Sequence, residues 1–306
     1  MSALLEVDAV SKSFPMGGLL SREQIEAVVD IDVTLLQDRP EIFTIVGESG
    51  SGKTTLARLI LGLETPTRGE IRHLGQPVGA GRFGAQRHAF MSAVQPVFQN
   101  PFEAFNPLKR VDRYLASTAR AFRSLTRRAE IEAAMDAALV DVGLSLEEIR
   151  GRYPHELSGG QLQRAAIARA LVCEARILIA DEPVSMVDAS LRMAIVNLLR
   201  RLRDDKGVTV IYITHDLATA YYISDRIMIM QKGRVVETGP ARRVLNAPQH
   251  PYSRLLKASV LSAADAGQGN LAPAQDLFEA SQEALEVARD SRMIDLGEGH
   301  SVRRAG

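Results

Sequence analysis

Two stretches near the start of the chain, residues 4–14 and 25–36, alternate apolar and polar positions, the period of half-buried strands. Glu41–Val46 (EIFTIV) is apolar almost throughout and runs into a glycine-rich segment, so it reads as a buried strand, with a helix predicted from Lys53. Ala89–Gln99 reads as a further extended stretch. The composition then shifts: Asn100–Leu108 is rich in Pro, Asn and Phe, and Arg110–Gly151 turns helical, with Ile131, Met135, Ala138, Leu139 and Val142 on its apolar face. From Ser158 the predicted order is helix, strand (Arg176–Ala180), helix (Ala189–Arg203), strand (Val208–Thr214) and a hairpin across Gln231-Lys232-Gly233. Such alternation implies a mostly parallel sheet with helices on both faces. His250-Pro251-Tyr252 begins a helical appendage, Ala263–Gly269 has the composition of a flexible linker, and a last Ala/Glu-rich helix is expected near Ala274–Arg289. There is no internal repeat and no sustained heptad pattern.

With 306 residues, 46% of them hydrophobic, the chain can build one large α/β domain with an appendage, or two small domains. Lys+Arg and Asp+Glu are both 37, so no global field favours nucleic acid or an anionic membrane surface. The one cysteine, Cys173, lies in an apolar helix-like stretch (ALVCEARILIA) and is expected to be a small buried side chain rather than a ligand or nucleophile. MSALLEVDAV carries Glu6 and Asp8 and no basic leader, so it does not read as a signal peptide and a cytosolic chain is expected. No apolar run approaches the roughly 18–20 residues that span a bilayer, so work at a membrane would go through partners.

Gly47-Glu48-Ser49-Gly50-Ser51-Gly52-Lys53-Thr54 fits the phosphate-loop pattern in full, between a buried strand and a helix as the mechanism requires. Glycines let the backbone turn tightly so that successive N–H groups point at phosphate oxygens, and the following helix adds its positive end. Lys53 would reach the β- and γ-phosphates, and the Thr54 hydroxyl would ligate Mg²⁺; Thr55 joins the nucleotide-binding candidates. The apolar strand Ile177-Leu178-Ile179-Ala180 ends in Asp181-Glu182. It delivers acids to the sheet edge where the phosphate loop opens: Asp181 to hold Mg²⁺ through water, Glu182 to polarise the attacking water. An acid pair after a strand often merely caps the next helix; the phosphate loop upstream gives this one its functional reading.

Leu157-Ser158-Gly159-Gly160-Gln161 adds a second anion cradle: Ser158 can cap a helix whose first residues, Gly159 and Gly160, expose bare N–H groups. This segment resembles the signature of ABC-family ATPases. In that family the cradle faces the nucleotide of the opposite protomer. The resemblance also assigns Gln99, in Val97-Phe98-Gln99-Asn100-Pro101, as the glutamine that senses Mg²⁺ and the attacking water. By the same resemblance Asp188 is the acid of the loop linking two protomers, and His215 contacts the γ-phosphate. Each of these would be unremarkable alone. Phe14 matches the position that stacks on adenine and is equally compatible with core packing.

The resemblance covers nearly all of residues 1–260. Within the family, GESGSGKTTLARLILGLETPTRGEI, the tail around His250-Pro251-Tyr252-Ser253 and the ending Gly299-His300-Ser301-Val302-Arg303 are similar to the ATPases of oligopeptide and dipeptide importers. Met186-Val187 stand where the protomer-linking loop usually has Ala-Leu, and the cysteine cluster of some relatives is missing, which argues against an iron–sulfur site. The fold implied is α/β: a phosphate-loop NTPase core with a mostly parallel sheet, an N-terminal antiparallel β subdomain and an inserted α-helical subdomain at about 100–157. Residues 1–250 would form the ATPase domain and 251–306 a C-terminal extension of the oligopeptide-transporter type. Beyond about residue 260 that extension is expected to be a peripheral accessory whose truncation spares ATP binding.

The function implied is MgATP hydrolysis powering an importer for oligopeptides or dipeptides. Its partners would be a second ATPase subunit, two transmembrane permease subunits and a separate extracytoplasmic solute-binding protein, with no nucleic acid. The expected location is the cytoplasmic face of the membrane. Sugar, opine or nickel-chelate import stays open, as does a soluble ABC ATPase of DNA repair or translation. That rival predicts long coiled coils or two cassettes in one chain, and neither occurs here. An exporter subunit is disfavoured by the tail alone.

Overall fold

The computed structural model describes residues 2–16, 24–79, 84–185, 187–264, 278–284 and 291–305. Its first half runs β1 (Ala3–Pro15), β2 (Gln24–Leu36), β3 (Ile42–Val46), α1 (Lys53–Ile60), β4 (Arg68–His73), β5 (Gln76–Pro77), α2 (Ala85–Ala93) and β6 (Val94–Val97). Three helices follow, α3 (Val111–Arg123), α4 (Arg128–Asp141) and α5 (Leu146–Ile149), and then α6 (Gly159–Val172). The second half holds β7 (Ile177–Asp181), α7 (Ala189–Lys206), β8 (Thr209–Thr214), α8 (Leu217–Ile223), β9 (Arg226–Gln231) and β10 (Arg234–Pro240). It ends with α9 (Ala241–Asn246), α10 (Pro251–Ala264), β11 (Ser291–Asp295) and β12 (Ser301–Ala305).

The strands form two sheets. A four-stranded antiparallel sheet has the order β2-β1-β4-β5, and an eight-stranded sheet the order β11-β12-β10-β9-β3-β8-β7-β6. In the large sheet β9, β3, β8, β7 and β6 run parallel, while β10, β12 and β11 are added antiparallel at one side. The central strands β3 and β8 are buried at every position. That explains sequences that are apolar without alternation, since helices or the second sheet cover both faces. The alternating β1 and β2 belong to the antiparallel sheet, whose Leu5, Val7, Val10, Val28 and Ile31 pack onto one side of the large sheet with Ile45, Leu56 and Ile213.

The helical insertion packs as a unit on α6. Val111, Leu115 and Ala119 of α3 and Ile131, Met135 and Leu139 of α4 share a core with Leu162, Ala165 and Ala166 of α6. Alanines at these α6 positions let the helices approach closely, so the insertion and the signature helix are mechanically one body. Among the described residues no helix is long and apolar enough to cross a membrane.

Two expectations are corrected. The extended reading of Ala89–Gln99 holds only from Val94, because residues 89–93 complete α2. Phe90 and Ala93, one helical turn apart, are the partly buried positions that face the core, a spacing hidden by the apolar run that continues into β6. The tail is not peripheral over residues 291–305: β12 extends the large sheet through pairs Glu237↔Val302 and Thr238↔Ser301. The last helix is seen at 278–284; the rest of Ala274–Arg289, and the linker beyond Ala264, lie outside the described residues.

Candidate functional site

The phosphate loop is held where glycine alone fits. Gly50 and Gly52 have φ of 81° and 101°, left-handed values that cost other residues free energy. A Cβ on Gly52 would lie 2.3 Å from the Ala27 carbonyl oxygen, and one on Gly47 would lie 2.2 Å from that of Met230. The loop is thus clamped between β2 and the β9–β10 turn. Gly233 N–H also donates to the Ser51 carbonyl at 3.0 Å. Gly52 is the N-cap of α1, which has neither a side-chain cap nor an acid in its first turn. Its free N–H groups suit an anion.

Lys53 is buried, and its Nζ donates to the carbonyls of Gly47 and Glu48, each at 2.7 Å, and to Ser51 Oγ at 3.3 Å. Burial pulls its pKa below the ordinary lysine value, against the opposing pull of Glu182, Asp181 and Glu48. An ammonium desolvated in this way gains most from an arriving polyanion.

The parallel strands deliver the remaining groups at their C-terminal edge, where such sheets bind ligands. Asp181 ends β7; burial raises its pKa, partly offset by a hydrogen bond from Thr54. Glu182 follows with a φ of 46°. Its Oε2 accepts from Gln99 Nε2 at 3.3 Å, and its Oε1 lies 3.0 Å from His215 Nδ1. Since an ionised carboxylate only accepts, His215 donates through Nδ1. Three strand ends, β6, β7 and β8, thus converge on one carboxylate.

A cavity of about 560 Å³ opens over the loop. Of the predicted residues Ser49, Gly50, Gly52, Lys53, Thr54, Thr55, Gln99 and Glu182 line it. Gly47, Glu48 and Ser51 form the floor that holds Lys53, Asp181 stands behind Thr54, and His215 reaches the cavity through Glu182. Phe14 does not line it; it pairs with Ile25, which does, and has the Lys12 ammonium 4.9 Å from its ring centre. Sequence reasoning missed Ile25, Glu26, Ala27 and Lys232 in the lining, because no motif marks residues contributed by another strand and a hairpin turn.

Among the described residues no three His, Cys, Asp or Glu side chains gather to hold a metal on their own. A divalent cation here would be shared between Thr54, Asp181, Gln99 and phosphate oxygens, which suits Mg²⁺. The hydroxyl–carboxylate pair of Thr54 and Asp181 fits that hard cation. Cys173 offers no chemistry: its thiol is buried, its pKa pushed up to about 12 by desolvation.

The segment Ser158–Gln161 lies elsewhere. Ser158 is the N-cap of α6, with its Oγ accepting from Gln161 N–H at 3.2 Å and Gln161 Oε1 accepting from Ser158 N–H at 3.0 Å. Gln161 therefore completes a capping box. A Cβ on Gly160 would lie 2.8 Å from Leu191 Cδ1, whereas one on Gly159 would meet nothing within 4 Å. None of Ser158, Gly159, Gly160 and Gln161 lines the cavity of its own chain. Asp188 is exposed at the N-cap of α7 and makes no side-chain cap bond; Met186 lies outside the described residues. One link between the two regions escaped the sequence. Gln163 of α6, fully buried, donates to the carbonyl of Phe98, the neighbour of Gln99, at 3.4 Å.

The family model described as ABC transporter matches residues 31–185. The oligopeptide transport ATP-binding protein OppF of Escherichia coli (strain K12) is 41% identical over 228 residues, 74% of this chain and 68% of the relative. That of Streptococcus mutans serotype c is 38% identical over 257 residues, 84% and 81% of the two chains. Among solved structures, the dimeric post-hydrolysis state of the ATP-binding cassette MJ0796 bound to ADP and Pi has a TM-score of 0.67 at 28% identity, covering 78% of this chain and 99% of that one. The cbiO1 structure from Clostridium perfringens, part of the ABC transporter complex cbiONQ, has a TM-score of 0.69 at 25% identity, covering 86% and 99%. By the family model and its curated relatives, this chain belongs to the ABC transporter family, as an ATP-hydrolysing cassette.

Proposed function

We propose that the chain drives import of oligopeptides, hydrolysing MgATP at two composite sites formed with a second ATPase subunit. The observation that carries this reading is the separation of two anion cradles in one chain. The phosphate loop lines the cavity, while Ser158, Gly159 and Gly160 lie outside it with open space at Gly159. A second protomer would bring its signature to this cavity, with Asp188 of each chain at the contact. Within a site, Lys53 and the loop N–H groups bind the phosphates, and the adenine rests against Ile25, whose strand partner Phe14 stays outside the lining. Glu182 accepts the proton of the attacking water, oriented by Gln99 and His215. Thr54, Asp181 and Gln99 would hold Mg²⁺, which when bound would neutralise phosphate charge.

The names of the relatives support the peptide class, and in this reading the channel is formed by two permease subunits. The subunit would then sit at the cytoplasmic face, fed through an extracytoplasmic solute-binding protein. Residues 1–250 form the ATPase domain in this reading and 251–306 its extension. Purification of the tagged chain from native membranes, followed by reconstitution in proteoliposomes, tests it. Two permease subunits should co-purify, and ATP hydrolysis should rise when binding protein loaded with oligopeptide is added. Recovery with ribosomes or DNA-repair complexes and without any permease would overturn the proposal.

A further inference from the structure

The two tail segments around His250 and His300 meet at one buried carboxylate. Glu237 of β10 has no exposed surface, a costly place for a charge unless donors surround it. Its Oε1 accepts from Gln249 N–H at 2.9 Å and from His300 Nε2 at 2.8 Å, and its Oε2 accepts from His250 N–H at 2.9 Å. The connection continues toward the nucleotide site. His250 Nδ1 accepts from Tyr252 N–H at 3.2 Å, and the Tyr252 hydroxyl accepts from Glu48 N–H, inside the phosphate loop, at 2.8 Å. Tyr252 is 2% exposed, so this contact has little competition from water.

The last bond falls on a mechanically telling peptide unit. In the planar trans peptide joining Gly47 to Glu48, N–H and C=O point in opposite directions. Its N–H is held by Tyr252, and its carbonyl is the one that Lys53 Nζ grips at 2.7 Å. Rotating that peptide away from Tyr252 would swing the carbonyl away from Lys53. The tyrosine hydroxyl thus sets the plane against which the phosphate-binding lysine is oriented, and His300 on the C-terminal hairpin stands at the far end of the same chain of bonds.

We propose that Tyr252 is a positioning residue for the phosphate loop, and that the C-terminal hairpin acts on ATP affinity through His300, Glu237 and Tyr252. The proposal rests on the assignment of residues 47–54 as the phosphate loop. Its chemistry asks only for an acceptor at the position of the Tyr252 oxygen. The hairpin is accordingly a tuning element of the nucleotide site, although it contributes no atom to the cavity.

The test is calorimetric binding of MgATP to the full-length chain, with the KM for ATP measured alongside and thermal unfolding of every variant recorded. Tyr252→Phe removes one oxygen and keeps the ring; its dissociation constant should rise about three- to ten-fold, the worth of one net hydrogen bond, with KM rising more than kcat falls. His300→Ala should weaken binding in the same direction, and His300→Gln, whose amide N–H can replace Nε2–H, should restore it. The double variant Tyr252→Phe, His300→Ala should bind no more weakly than Tyr252→Phe alone, since the hairpin's effect passes through the tyrosine. A lower melting temperature with unchanged affinity in Tyr252→Phe would reduce the contact to a structural one and overturn the proposal; additive losses in the double variant would overturn the route from the hairpin. Lys53→Ala separates the two levels. If it binds MgATP as the wild type does, the phosphate-loop assignment itself fails, whereas abolished binding there beside normal binding in Tyr252→Phe refutes the positioning role alone.

Discussion

Replacing Glu182 by Gln removes the charge that the site concentrates on one atom pair while keeping the shape of the side chain. The carboxylate is mostly shielded, takes hydrogen bonds from Gln99 and His215, and stands first among the groups that support the charge of Lys53. An amide in its place can accept from one of the two neighbours. The other can be accommodated by turning the Gln99 amide or changing the His215 tautomer, so the ground-state geometry survives. What is lost is the proton acceptor. General-base catalysis contributes typically about 10²- to 10⁴-fold, equivalent to about 3–5 kcal/mol of barrier. ATP binding should persist: the loop N–H groups are untouched, and the phosphates replace the negative charge that Lys53 loses. Single-turnover hydrolysis should therefore slow by about two to four decades, with MgATP affinity retained and an ATP-dependent dimer visible by gel filtration. Turnover within about three-fold of the wild type would show that Glu182 is not the base, and loss of binding would assign it to holding the nucleotide instead.

Gln99→Ala should impair transport in reconstituted vesicles more than it impairs MgATP binding, because Gln99 joins Glu182 to the helical insertion and its neighbour Phe98 is tied to Gln163 of the signature helix; equal losses would contradict a coupling role. His250, with its pKa lowered to about 4 by burial, stays neutral when folded, whereas the unfolded chain takes up a proton near the ordinary value of 6.5. Between these pH values the unfolded state binds more protons, so stability falls as pH drops from 6.5 to 4, by about 3 kcal/mol from this group. In His250→Asn, whose side-chain oxygen can accept from Tyr252 N–H, urea unfolding across this range should show a correspondingly flatter dependence, and curves parallel to the wild type would refute the assignment.

What the sequence discloses and what it hides divide along physical lines. The phosphate loop and the Asp181-Glu182 strand end are legible because each is local: a few consecutive residues carry both the backbone geometry and the chemistry. Ser158 is legible for the same reason, as a cap on the helix that starts at Gly159, whereas the return bond from the Gln161 side chain is seen only in the structure. The helix at residues 89–93 is misread because no turn residue separates it from β6, and the apolar run blends two periods. The C-terminal hairpin leaves no strand signal, since SRMID and SVRRA are short and mixed in polarity, and β12 is stabilised by β10, far away in the chain. The contact between Tyr252 and Glu48 spans 204 positions and consists of one hydroxyl on one backbone N–H. A reading from residue types reveals a tyrosine able to accept a hydrogen bond, but only the folded sheet reveals the donor.

The composite-site reading can be separated from that of a self-sufficient phosphate-loop enzyme by a mixture of two dead proteins, and the structure indicates which second variant to choose. Ser158→Arg would break the capping box of α6 at a cost of about 1 kcal/mol, and Gly160→Ala would press on Leu191. Gly159→Asp avoids both problems: its Cβ enters open space, and a carboxylate in the first turn favours the helix that carries it. The same carboxylate would repel a γ-phosphate approaching from a partner's site. In a homodimer Lys53→Ala disables both nucleotide pockets and Gly159→Asp disables both signatures, so neither protein alone should occlude ATP. In the mixed dimer the Lys53→Ala pocket faces the Gly159→Asp signature, which leaves the other site with a wild-type loop and a wild-type cradle. Occlusion should return at one site per mixed dimer, and occlusion rather than hydrolysis is the proper readout, because turnover can require both sites. If differential tags show that mixed dimers form and no nucleotide is trapped, either the signature does not act across the interface or the working dimer is not made of identical chains. Repeating the mixture with Gly159→Asp moved to the corresponding glycine of a paralogous subunit decides between them: occlusion restored only there identifies a heterodimer, and none in either mixture removes the trans assignment.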